Sequence, residues 1–230
     1  MKTGKRVFFS ELAYVIGMIT LAVGTAFMER ADFGISMVVA PAYLIHLKVS
    51  EFLPFYTFGM SEYVFQAFLL ILLAFAVKGF KRSYLFSFVT AVLYGFTLDA
   101  SISLAALLPF SGTAARVVFY VLGMVLCSVG VAFFFKTYIS PEAYELFVRD
   151  VSARYNISIT RVKTTYDIVS CLIGVVMSFA FFGFGVFEGV KLGTVICALI
   201  NGFMIGKISA CLDKTFSFKD ALGLRKLFEK

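Results

Sequence analysis

Of the 230 residues, 60% are hydrophobic and only 15% charged, and the net charge is +7 with a mean hydropathy of +0.93. Soluble domains carry about 25% charged residues, so this composition excludes a water-soluble globular domain and predicts a polytopic membrane protein. The excess of Lys and Arg is read as topology and attraction to anionic lipid. With no base-reading motif or basic-aromatic platform, nucleic acid is not expected as a partner.

Long apolar runs predict six spans, at about 10–29, 60–78, 84–107, 116–136, 165–183 and 189–211. The first follows KTGKR and has the outline of a secretory signal, yet it is long and lacks a small-residue cleavage site, so it is kept as a span. At its outer end Glu29, Arg30 and Asp32 cluster. Two readings stand there: a solvated interfacial ion-pair group, or the rim of a binding site with Arg30 drawing an anionic substrate. The segment up to the second span is too long for a tight loop and predicts a short helix near 35–47, with Ser36 as a cap. Glu62 lies near the outer start of span two. In span three Asp99 stands about fifteen residues from the cytoplasmic side, which makes it the foremost buried-charge candidate, since intramembrane charge is costly and is usually functional.

After span four, YISPEAYELFVRDVSARYNISI predicts a second short helix near 141–153. Ser140 as hydroxyl cap, Pro141 in the first turn and Glu142 facing the helix dipole form its start. Both short helices either enter the membrane and offer N-terminal amides to anions or lie on its surfaces over the bundle. Asp167, near the inner start of span five, stands 105 residues after Glu62. The pair are either gating or proton- or cation-coupling groups, or interfacial helix acids, with Lys163 as the i, i+4 partner of Asp167. In span six Asn201, beside Gly202, reads as an interhelical hydrogen-bonding amide or a binding group. All four cysteines fall in spans without metal spacing, and His46 has no ligand partners, so no metal site is expected.

The chain also repeats itself. Residues 14–27 (YVIGMITLAVGTAF) and 120–133 (YVLGMVLCSVGVAF) match at eight of fourteen positions, pairing Gly17 and Gly24 with Gly123 and Gly130. AVLYGF at 91–96 meets ALINGF at 198–203 on nearly the same offset. A duplicated unit of three spans divides the chain into residues 1–111 and 112–230. An odd number of crossings inverts the second copy, so the expected fold is all-α, with six transmembrane helices as a 3+3 inverted repeat and a short interfacial or re-entrant helix in each half. The glycines, seven apart on one face, predict that spans one and four pack centrally. With the N-terminus inside, 17 of the 21 basic residues fall on one side, which predicts a multi-pass cell-membrane protein with both termini cytoplasmic.

The run ISPEAYELFVRDVSARYNISITRVKTTYDIVSCLIGVVMSFAFFGFGVFEGVKLGTVICALINGFMIG resembles the C-terminal half of the YczE/YitT-like bacterial integral membrane proteins. The matching positions are Pro141, Lys163, Thr164, Asp167, Gly193, Thr194 and Gly202. In the first half, Ala31-Asp32-Phe33-Gly34-Ile35-Ser36, Thr57-Phe58-Gly59 and Gly95 with Asp99 fit the same pattern. The sequence departs from it at Met37, at Glu142 and Ala143, and at Lys163, which stands where the family has Arg. The resemblance implies a membrane protein related to transport and carries over no catalytic role. The leading expectation is therefore a transporter or permease for a small organic solute, working by alternating access. The alternative is a non-transporting substrate-capture or regulatory subunit. Walker, Gly-x-Ser-x-Gly and His-Glu-x-x-His patterns are missing, so neither an enzyme nor a cofactor is expected. The anticipated partners are the bilayer, a small-molecule substrate, and a second copy or a partner membrane subunit.

Overall fold

The structure is a computed structural model that describes residues 5–109, 112–223 and 225. The chain runs β1 (Arg6–Phe9), α1 (Ser10–Ala31), α2 (Ala40–Ser50), α3 (Phe58–Val77), α4 (Arg82–Ala106), α5 (Gly112–Phe134), α6 (Ala143–Tyr155), α7 (Ile159–Phe182), α8 (Leu192–Thr215) and β2 (Phe216–Lys219). Six helices, α1, α3, α4, α5, α7 and α8, are long and apolar enough to cross a bilayer. All six expected spans are present, with ends displaced by a few residues. The boundary drawn between residues 111 and 112 touches Ser111, outside the described residues.

Consecutive long helices run antiparallel and leave the bundle with two ends: a terminal face, where β1 and β2 lie, and an opposite face. Ion pairs mark both. Lys81 reaches Asp150 at 2.8 Å and Lys136 reaches Asp213 at 2.7 Å on the terminal face. On the opposite face Arg116 meets Asp32 at 3.0 Å, and Lys191 bonds the same carboxylate. At the terminal face Glu11 accepts from the Ala221 and Leu222 amides and from the Tyr138 hydroxyl, while β1 pairs with β2 in parallel, tying the two chain ends together. This small sheet was not expected. Its strands, RVFF and FSFK, are only four residues long and are lost beside the long apolar runs.

The tightest packing is α1 on α5. A β-carbon on Gly24 would stand 2.7 Å from the Cys127 nitrogen and the Gly123 carbonyl oxygen, and one on Gly17 would stand 3.1 Å from the Gly130 carbonyl oxygen. Only glycine lets these backbones approach so closely. The contact is reciprocal: Gly17 faces Gly130 and Gly24 faces Gly123. Around this pair, α4 packs on α1 and α8 on α5, α6 packs on α3 and α2 on α7. The correspondence breaks at one place, where α3 and α4 pack extensively but α7 and α8 scarcely touch.

The short helices start later than their sequence signals. Val39 caps α2 and Glu142 caps α6, neither through its side chain, so Ser36 and Ser140 are not the caps. The Ser36 carbonyl instead closes a turn with the Val39 and Ala40 amides, which postpones the helix until Pro41 occupies its first turn. The carbonyls of Ser140 and Pro141 are taken by Thr90 at 2.9 Å and Ser87 at 2.6 Å, so the chain is still extended there. Each short helix begins against the middle of the long helices and ends at a face. For α6, the start touches Gln66 and Thr90, and Asp150 and Tyr155 reach Lys81 and the Ala76 carbonyl at the terminal face. For α2, Ser170, midway along α7, donates to the Met37 carbonyl at 2.7 Å, and the last turn meets the opposite face through Lys48 over Phe182.

Candidate functional site

Where α6 begins, three carboxylates are buried together. Glu62 projects from α3, Glu142 stands at the start of α6 and Glu145 lies in its first turn, at 0%, 1% and 9% relative exposure. Gln66, one turn along α3 from Glu62, links them. Its Nε2 donates to Glu62 Oε2 at 3.3 Å and to Glu142 Oε2 at 3.1 Å, and its Oε1 accepts from the Ala143 amide at 3.0 Å. The Tyr144 hydroxyl donates to Glu62 Oε2 at 2.9 Å. Each acid nevertheless keeps one buried oxygen, Glu62 Oε1, Glu142 Oε1 and Glu145 Oε2, without a hydrogen-bond partner. Burial, reinforced by Glu145 and Glu62, pushes the Glu142 carboxyl well above the ordinary carboxylate range. Burial raises Glu145 as well, against the pull of Lys163. The Lys163 ammonium itself bonds Asp167 at 2.7 Å, one turn along α7.

Beside this cluster lies a half-open cavity of about 400 Å³ between α2, α3, α6 and α7, whose outer rim carries the exposed Leu72, Val169 and Ile173. Phe65, Leu69, Phe147 and Tyr166 form its apolar wall, Ser170 borders it midway along α7, and Arg161 stands at the terminal-face end. Tyr144 lies next to both regions, its ring tilted against Phe65 at 6.4 Å and edge-on to Tyr166 at 6.5 Å. Tyr144 thus joins the Glu62 carboxyl to two of the aromatic rings that line the cavity.

The residues singled out from sequence are dispersed. Glu62 is central and Asp167 is paired with Lys163 on the neighbouring helix. Asp99 is half-buried at the start of α3, where its carboxylate accepts from Thr57 Oγ1 at 2.6 Å and from the Gly59 amide at 2.8 Å. It completes the cap of α3, with Thr57 accepting from the Met60 amide. We expect Asp99→Ala to cost about 1–2 kcal/mol and Asp99→Asn much less, read as melting temperature in detergent. Asn201 accepts from Ser128 at 2.8 Å and joins α8 to α5. Arg30 donates to the Leu108 carbonyl at 3.0 Å, and Asp32, in a left-handed conformation that ends α1, collects Arg116 and Lys191 on the opposite face. Ser36 contacts the Met37 sulfur and Cys197, and Ser140 reaches α4 through its carbonyl. Gln66, Tyr144, Glu142 and Glu145 were not predicted as site residues. The available signals were an amide in the middle of span two and a Glu-x-x-Glu turn, too short to stand out.

The arrangement defines a helical membrane protein whose core carries buried acids beside an apolar cavity. The chain belongs to the family of unknown function DUF6198, whose profile matches residues 8–210. No curated protein and no solved structure gives a significant match.

Proposed function

We propose that the protein is a membrane transporter for a small organic solute, built as a 3+3 inverted repeat that alternates access across a cell membrane. The observation that carries this reading is the position of the cavity. Pro41, Phe65 and Leu69 come from the first half, and Phe147, Tyr166 and Ser170 come from the second. Transporters of this symmetry place their solute near the midplane between the halves. Support for the symmetry comes from the reciprocal glycine contact of α1 and α5 and from the paired contacts α4 on α1 and α8 on α5. On this reading α2 and α6 are re-entrant helices, each starting near the midplane and returning to the face it entered from. The apolar wall suits a solute with an apolar body, and Arg161 is placed to meet a polar end.

A second reading, a capture or regulatory subunit, is favoured by the face of α7 and α8, where Leu172, Val176, Leu199 and Phe203 are exposed and Gly202 and Gly206 have open space around them. Transport predicts that protein alone in liposomes exchanges radiolabelled members of a metabolite mixture, whereas a capture subunit retains them without passage. The likeness to the YczE/YitT-like proteins rests on the short motifs named above and forms part of the same proposal. Orientation is checked by an impermeant thiol reagent on intact cells expressing a cysteine-free background. Cysteine at Glu51 or Phe187 is expected to label and cysteine at Arg154 to stay shielded. Labelling at Arg154 would overturn the cytoplasmic placement of the terminal face.

A further inference from the structure

We propose that Glu62, Gln66, Glu142 and Glu145 form a reversible proton-binding site at the start of α6, whose occupancy drives the solute step; the last clause rests on the transporter reading above. The argument is one of charge. Among the described residues four carboxylates, those of Glu62, Glu142, Glu145 and Asp167, meet the charge of one cation, Lys163, which bonds Asp167. Among the described residues the other groups facing the acids are phenols and a thiol, uncharged near neutral pH: Tyr14 from α1, Tyr94 from α4, Cys127 from α5 and Tyr166 from α7. Several ionised carboxylates buried together without counter-charge are prohibitively costly, so the site holds protons or a cation. A metal ion fits poorly, because among the described residues no group of three or more His, Cys, Asp or Glu side chains has metal-binding geometry.

Protons fit the hydrogen bonding. Each acid has one oxygen without a partner, and an unpartnered oxygen costs far less to bury on a neutral carboxylic acid than on a carboxylate. Gln66 presents its NH2 to one oxygen of Glu62 and one of Glu142, a donor that suits an accepting carbonyl or carboxylate oxygen in either state. The N-terminal end of the α6 dipole favours the negative form, so the proton is held but not locked. Loading is the addition of a proton to a carboxylate oxygen; unloading returns the proton to water, with no other bond changed. Because Glu142 caps α6 and Glu145 lies in its first turn while Glu62 belongs to α3, relative movement of these helices alters the burial that holds the protons.

The test uses the full chain in detergent and no solute. In infrared difference spectra between about pH 6 and about pH 10, the wild type is expected to show a carboxylic C=O band that disappears as pH rises. That band should weaken in Glu62→Gln and again in Glu142→Gln, each nearly isosteric with the protonated acid. Melting temperature gives a second readout. Burial raises the folded-state value of Glu142, so the stability tied to its proton is fully present below the unfolded-state pKa and is lost as pH rises through the folded one. Glu142→Gln should flatten that fall. A band missing at about pH 6 in folded protein overturns the proposal, as does a band abolished at constant pH by sodium, potassium or lithium chloride, which would make this a metal-cation site. Neither readout depends on transport. A proton site in a protein that exchanges no metabolite in liposomes would overturn the coupling and the transporter reading together while leaving the site, and metabolite exchange indifferent to a pH gradient and to Glu142→Gln would overturn the coupling alone.

Discussion

Replacing Gly24 by leucine is expected to remove most of the folded protein. The new β-carbon alone would stand 2.7 Å from the Cys127 nitrogen, the Cys127 sulfur and the Gly123 carbonyl oxygen. Two of these are backbone atoms of α5 that no rotamer change can move. Overpacking a core costs 1–3 kcal/mol where side chains can yield; against backbone we expect on the order of 4 kcal/mol or more. The same substitution at Gly130 meets Leu21 and the Gly17 carbonyl at 2.8 Å and should fail in the same way. Gly202→Leu and Gly79→Leu, with nothing within 4 Å, are the controls. Yield of monodisperse protein by size-exclusion chromatography in detergent separates the two classes. Equal yields across all four would remove α1 and α5 from the centre of the bundle.

That centre was legible because its signal is periodic. Glycines seven apart in two copies of one motif pointed to a close crossing, and Gly17, Gly24, Gly123 and Gly130 make it. The spans were legible for the same reason, since crossing a bilayer demands a long apolar run and little else competes with it. Residue-level roles were harder to read. Asp99 was expected well inside the apolar layer, but depth along a helix does not say what the neighbouring helix presents, and here that is the start of α3 with its free amides. The short helices lacked a strong apolar period, so their starts fell several residues after the hydroxyl-bearing Ser36 and Ser140. The acid cluster was hidden most deeply. Glu142 and Glu145 lie in a polar stretch that reads as a solvated surface helix, and only packing on α3 makes them buried groups.

Gln66 holds that packing together, and its replacement is expected to show how. In Gln66→Leu the Ala143 amide loses its acceptor and Glu62 and Glu142 each lose a donor. Buried polar groups left unsatisfied cost about 1–3 kcal/mol each, so a loss on the order of 3 kcal/mol is expected even though leucine suits an apolar span. Gln66→Glu should be no better, because it keeps an acceptor for Ala143 but replaces the shared donor with a further acid. The informative variant is the double replacement Gln66→Leu with Glu142→Leu. Removing both ends of a buried hydrogen bond leaves fewer unsatisfied groups than removing one, so the double variant should be more stable than the sum of the two single losses predicts, with a coupling of about 1 kcal/mol or more. Melting temperatures of the four proteins in one detergent close the cycle. If the losses simply add, Gln66 and Glu142 do not act as a unit, and the start of α6 is held by Ser87 and Thr90 on α4 instead.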